Sequence, residues 1–168
     1  ETLIGNSYAN YIHGGRGDDT IISNGGRNAI GETVIDELNG GRGRDTYVLF
    51  DDWGDVVISE EGGRDPLEIL ERTFDELHFS RDIGVNGGHL TIRDTLSQDT
   101  IFVWDHFSSP KSSAVDTLRT ADGTWNLRKG MPLTGTDADD GMQGTSAAER
   151  IESGVGDDTI RSAGGTDV

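Results

Sequence analysis

Three nine-residue stretches set the strongest limit on how this chain folds. GGRGDDTII (14–22), GGRGRDTYV (40–48) and SGVGDDTIR (153–161) share the frame G-G-x-G-x-D-x-U-x, where U is a large apolar residue and the third copy begins with Ser. Weaker copies keep it: GNSYANYIH (5–13) and SNGGRNAIG (23–31) carry Asn at position six and Ile at position eight. GTDADDGMQ (135–143) and GTSAAERIE (144–152) run without a gap into the third strong copy. The segment ETVIDELN (32–39) is one residue short, yet counted from its far end it puts Asp36 at six and Leu38 at eight. The chain starts and stops inside a repeat, at Glu1 and Val168, which reads as a piece of a longer protein.

Glycine and charge follow the repeats. Residues 1–65 and 134–168 hold 20 of the 25 glycines and 21 of the 31 acids, and the whole chain has a net charge of −17. A field of that sign repels nucleic acid and anionic lipid, so neither is expected as a partner. No cysteine is present, which excludes disulfides, thiolate zinc sites and a cysteine nucleophile. No apolar run approaches the ~20 residues that span a bilayer.

A short acidic repeat of this kind has a direct physical reading. Glycines at one, two and four permit a tight turn with positive φ. Asp at six supplies a carboxylate beside the exposed turn carbonyls, and the apolar residue at eight points inward from a short strand. Two repeats close a coil of about 18 residues, so repeats two apart stack and bring their sixth residues together. Carboxylates and carbonyls make a hard oxygen cage of the kind that calcium takes with 6–8 ligands. The spacing pairs Asp19 with Asp36, Asn28 with Asp45, Asp36 with Asp55, and Asp140 with Asp158; Glu149 with Asp167 and Asn10 with Asn28 are further pairs. Without a cation the stacked carboxylates repel, so folding and calcium binding are expected to be one event.

These motifs resemble the RTX (repeats-in-toxin) family of bacterial proteins exported by type I secretion. The resemblance covers 1–48 and 135–168. It implies a parallel β-roll, secreted and extracellular, that is unfolded in calcium-poor cytosol and folds outside, with several Ca2+ ions as its cofactor. It also implies ligand sets that mix position-six side chains with turn carbonyls. One set is Asn24, Gly26, Asn28, Gly40, Arg42 and Asp45. A second is Thr136, Ala138, Asp140, Ser153, Val155 and Asp158, and a third is Gly15, Gly17, Asp19, Thr33 and Asp36.

Residues 66–133 read differently, as an antiparallel β-rich domain that caps the roll. ELHFSR (76–81) and HLTIRD (89–94) alternate in polarity around Asn86-Gly87, a hairpin signal. TIFVWDHF (100–107) puts Ile101 and Val103 on one face and Phe102 and Trp104 on the other, and TLRTADGTWNL (117–127) turns at Asp122-Gly123. Trp104, Phe107 and Trp125 are expected to pack in a core. The expected fold is therefore all-β, with parallel β-roll blocks at 1–65 and 134–168 flanking the antiparallel domain at 66–133. His13, His78, His89 and His106 lack metal-ligand spacing and no His-Glu-x-x-His occurs, so zinc chemistry is not indicated. Arg16-Gly17-Asp18 follows from the repeat itself. The function expected is a calcium-binding folding module without catalysis of its own. The alternatives are a module that recognises a host-surface glycan or protein, as in an adhesin, and the C-terminal part of a secreted hydrolase.

Overall fold

The computed structural model describes residues 1–26, 31–81, 88–107, 115–127, 132–135, 137–144, 149–162 and 164–168. Among these the regular structure is β, apart from one short 3-10 turn at Phe74–Glu76. One six-stranded sheet contains, in spatial order, β1 (Thr2–Ile4), β3 (Thr20–Ser23), β5 (Thr46–Leu49), β7 (Pro66–Ile69), β11 (Thr117–Thr120) and β12 (Gly123–Asn126). The other contains β2 (Tyr11–Arg16), β4 (Ile35–Arg42), β6 (Asp55–Ser59), β10 (Thr100–Val103), β9 (Leu90–Asp94) and β8 (Leu77–Arg81). From β1 to β7 the chain alternates between the two sheets, so each coil adds one parallel strand to each. That is a β-roll.

The position-eight residues build the core. Across the first sheet Leu3, Ile21, Tyr47, Leu67 and Leu118 stand opposite one another in register. Across the second, Ile12, Leu38, Ile58, Val103 and Leu90 do the same. The buried members of both rows belong to one apolar cluster. Each such side chain contributes about 1.5–3 kcal/mol when fully buried. With one apolar row per strand face, the core is thin.

The register departs from the expected 18 residues in the first block. Thr2 faces Thr20, but Thr20 faces Thr46 and Tyr11 faces Glu37. Eight residues have been added to the coil between β3 and β4, where the weak copy at 23–31 leaves only Ser23, the end of β3, in a strand over its described part. Eight is even, so the side chains keep their faces and the stack continues. Gly26, at φ +113°, lies so close under the Asp52 carbonyl that a Cβ would collide with it, which seats the longer loop on the next turn.

The middle segment is hydrogen-bonded into the roll. β10 pairs in parallel with β6, and β11 with β7, before the sheets turn antiparallel through β9, β8 and β12. The expected β8–β9 and β11–β12 pairings are present; the Asn86-Gly87 turn lies outside the described residues. Ile101 and Val103 are buried as expected. Trp104 and Trp125 are not in the core: they are 44% and 38% exposed. Trp104 sits at the end of β10, turned outward against Phe102 and His89, while Trp125 lies flat on Phe74 at 4.0 Å on the terminal strand β12.

The last repeats form two small parallel sheets, β13 (Pro132–Thr134) with β15 (Arg150–Glu152) and β14 (Gly141–Gln143) with β16 (Thr159–Arg161). Here the 18-residue register holds: Leu133 faces Ile151 and Gly141 faces Thr159. β13 packs on β8.

Candidate metal centre

The position-six acids stack in ladders. The Asp19 N–H donates to Asp45 Oδ1 at 2.8 Å, the Asp45 N–H to Asp65 Oδ1 at 2.8 Å, and the Asp65 N–H to Asp116 Oδ2 at 3.1 Å. All four acids are buried. In the last block the Asp140 N–H reaches Asp158 Oδ1 at 3.0 Å and the Glu149 N–H reaches Asp167 Oδ1 at 3.1 Å. One oxygen of each receiving carboxylate is thus held by the neighbouring backbone. The Oδ2 atoms of Asp19 and Asp45 are buried with no hydrogen-bond partner among the described residues. A buried ionised oxygen left so is costly unless a cation compensates it.

The glycines make this close approach possible, and their roles differ from the uniform one expected. Positions two and four do carry positive φ, as at Gly15 (+101°) and Gly17 (+110°). Position one does not. It is glycine because the repeat's own carboxylate folds back over it: a Cβ on Gly14 would lie 2.7 Å from Asp19 Oδ2, and one on Gly135 2.9 Å from Asp140 Oδ2. The same holds at Gly40, 2.5 Å from Asp45 Oδ2, and at Gly144, 2.9 Å from Glu149 Oε2.

Of the pairs expected from spacing, Asp140–Asp158 and Glu149–Asp167 are brought together. Asp19 meets Asp45 instead of Asp36, because the eight added residues carry Asp36 to the other sheet. There Asp36 Oδ1 accepts the Asn10 N–H at 2.9 Å, and its Oδ2 accepts the Ser23 hydroxyl at 2.6 Å. Asp36 and Asp55 are not paired either. Asp36 faces Val56 while Asp55 faces Ile35, a one-residue offset that puts the two on opposite faces of the sheet. The Asp55 carboxylate takes the Thr100 N–H at 3.1 Å. Asn28 and Thr136 lie outside the described residues, and with Asn28 its pairings to Asp45 and Asn10.

The turn carbonyls lie close to the neighbouring coils. The Gly15 and Gly17 carbonyls press against Gly41 and Gly43, and the Ser153 carbonyl against Gly135. A Cβ on Gly156 would lie 2.7 Å from the Ala138 carbonyl, and one on Gly14 2.6 Å from the Gly40 carbonyl. The Arg42 carbonyl accepts the Gly17 N–H at 2.8 Å, and that of Gly26 accepts the Val34 N–H at 2.9 Å. The Asn24 amide reaches the Gly5 carbonyl at 3.5 Å. Thr33 lies in an isolated bridge, and Val155 is exposed on the last turn.

Sequence reasoning missed three acids. Asp65 carried a visible signal in Asp65-Pro66-Leu67, the Asp-x-apolar signature. Glu60 stands five residues before it, in the position-one slot. Asp116 had none, being 51 residues from its partner. One carboxylate oxygen each from Asp45, Glu60 and Asp65 lies within 4.8 Å of the other two. The Tyr47 hydroxyl donates to Glu60 and accepts the Gly40 N–H at 2.7 Å. Burial, with the Asp65 and Asp45 charges, pushes the Glu60 carboxyl up to about 8. Burial, with Asp19 and Asp18 nearby, also raises Asp45, and burial with the Glu60 charge holds the Tyr47 phenol protonated.

That crowding sets a pH dependence. Glu60 holds its proton up to about pH 8 in the folded chain but only to about 4.5 as an ordinary glutamate. Between those values the folded state binds more protons, so metal-free stability falls as pH rises. In metal-stripped buffer the β ellipticity is expected to be larger at pH 5 than at pH 8. Equal signals would contradict it.

Residues 1–30 and 134–168 match the family model of the RTX calcium-binding nonapeptide repeat, in four copies. These two segments are RTX calcium-binding repeats. A search of curated proteins finds no match to the chain. The RTX match stops at residue 30 in the first block, yet the carboxylate ladder runs on through Asp45 and Asp65 to Asp116. The residues present fit calcium: all donors are oxygens, two ladder acids have buried unpartnered oxygens, and position one is cleared of a Cβ beside them.

Proposed function

We propose that this chain is a calcium-driven folding module of a secreted bacterial protein, exported by the type I route in the calcium-poor unfolded state and ordered outside the cell. It contributes structure rather than catalysis. The carrying observation is the ladder Asp19–Asp45–Asp65, in which like charges are stacked at the edge of a thin core. Asp19, Asp45, Asp140, Asp158, Glu149 and Asp167 supply the side-chain oxygens, with turn carbonyls such as those of Gly15, Gly17, Ala138 and Ser153. A bound calcium would supply the positive charge that lets them remain ionised side by side. Magnesium demands a smaller, near-octahedral shell. Ordering followed by far-UV circular dichroism is therefore expected to need at least about tenfold more magnesium than calcium. Equal midpoints would contradict the reading.

Recognition of a host-surface glycan is a second reading, favoured by the exposed Trp104 with Phe102 and His89 packed against it. Binding on a glycan array that is lost in Trp104→Ala, with the calcium midpoint unchanged, would support it.

A further inference from the structure

We propose that Asp45, Glu60 and Asp65 form a three-carboxylate cation site, created by a glutamate standing where the repeat has glycine, and that it takes calcium ahead of the chain's two-carboxylate turns. The inference rests on the calcium reading above and deepens it.

The frame shows what is unusual. Counting back from Asp65, Glu60 occupies position one, stacked next to Gly40 through the Asn39–Ser59 register. In the full-length repeats and the final partial one, position one is glycine or serine (Ser23, Ser153 and Ser162), and Asp140–Asp158 and Glu149–Asp167 offer two acids each. Here the Glu60 side chain reaches back over Gly40. Its Oε1 and Asp45 Oδ2 converge on the space that a Cβ on Gly40 would fill. Asp45 is wholly buried, and among the described residues that same Oδ2 has no hydrogen-bond partner; neither has Glu60 Oε2. Two carboxylate oxygens without a hydrogen-bond partner among the described residues thus share a buried site with Asp65, where a cation satisfies all three groups.

Tyr47 fixes the third arm. Its hydroxyl is held by the Gly40 N–H and donates to Glu60, so within the formed coil the carboxyl is oriented by the protein itself. Pre-orientation lowers the ordering cost of binding. Ligand charge count and site rigidity are the two features that tune calcium affinity, and both are greater here than at Asp140–Asp158 or Glu149–Asp167.

The test is a calcium titration of the full chain by calorimetry, with terbium(III) luminescence excited through tyrosine as a second readout. The wild type is expected to fill one equivalent about tenfold more tightly than the rest. Terbium emission should appear with that equivalent, since Tyr47 adjoins the site. Glu60→Gln, which keeps shape and the Tyr47 contact, is expected to merge the tight class with the others and remove the early emission. Its ellipticity at saturating calcium should match the wild type. Glu60→Asp, which retains charge on a shorter arm, is read the same way should the amide variant fall short of that ellipticity, and a weakened first equivalent is expected. An unchanged or tighter first equivalent in either variant would overturn the assignment, leaving Glu60 as a protonated partner of Tyr47. Calcium binding at the other turns would then still stand, whereas no binding by the wild type would remove the calcium reading as well.

Discussion

Asp45→Ala is expected to raise the calcium midpoint for ordering of the first roll by at least about tenfold. Asp45 is the central rung of its ladder: it accepts from Asp19, donates to Asp65 and has a buried oxygen near Glu60 that is unpartnered among the described residues. Truncation leaves the buried Asp19 N–H without its acceptor, which costs about 1–3 kcal/mol, and about 1.4 kcal/mol is already a factor of ten. It also removes a negative charge from two neighbouring turns, those towards Asp19 and Asp65. Asp158→Ala should behave otherwise. Its partner is Asp140 in the small β13–β16 stack, whose strands, among the described residues, pair in sheets only with one another. Loss there is expected to stay within residues 132–168, seen as exchange-labile amides in those strands while β3–β7 remain protected. Equal loss in both regions would contradict the separation of the two ladders.

The second large effect is steric. Gly41 and Gly15 occupy the same position in stacked repeats, with φ of +94° and +101°. A Cβ on Gly15 meets nothing within 4 Å, so Gly15→Ala carries the left-handed backbone cost alone, about 1–2 kcal/mol. A Cβ on Gly41 drives into the Gly15 backbone, with its carbonyl carbon at 3.0 Å and its Cα at 3.1 Å, and backbone in a paired sheet cannot move aside. Gly41→Ala is therefore expected to cost at least about 2 kcal/mol more than Gly15→Ala, read as the difference in urea midpoint at saturating calcium. Equal midpoints would show that the coils stack less tightly than described.

Much of this architecture was legible because the repeat encodes it locally. Position eight supplied the core rows from Leu3 to Leu67, and the β8–β9 and β11–β12 strands announced themselves by alternation. In 134–168 the 18-residue count gave the correct partners for Asp140 and Glu149. The first block misled the same count, since the eight residues added before β4 still look like a repeat. Only pairing with β5 shows that Asp19 belongs with Asp45. Asp116 and the parallel docking of β10 on β6 were invisible for another reason: their partners lie 51 and 45 residues away, beyond any local period. Glu60 was hidden by the expectation that position one exists for its backbone freedom. The structure shows that this slot is cleared for a carboxylate, and a carboxylate can also fill it.

The central claim is that opposed acids in the turns need a cation to fold. A calcium titration of the metal-free chain at pH 7.5, followed by far-UV circular dichroism, tests it directly. The account predicts a largely disordered spectrum that converts cooperatively to β with a midpoint on the order of 10⁻⁴–10⁻³ M. A chain already fully β-structured without calcium, and unchanged on its addition, would contradict it.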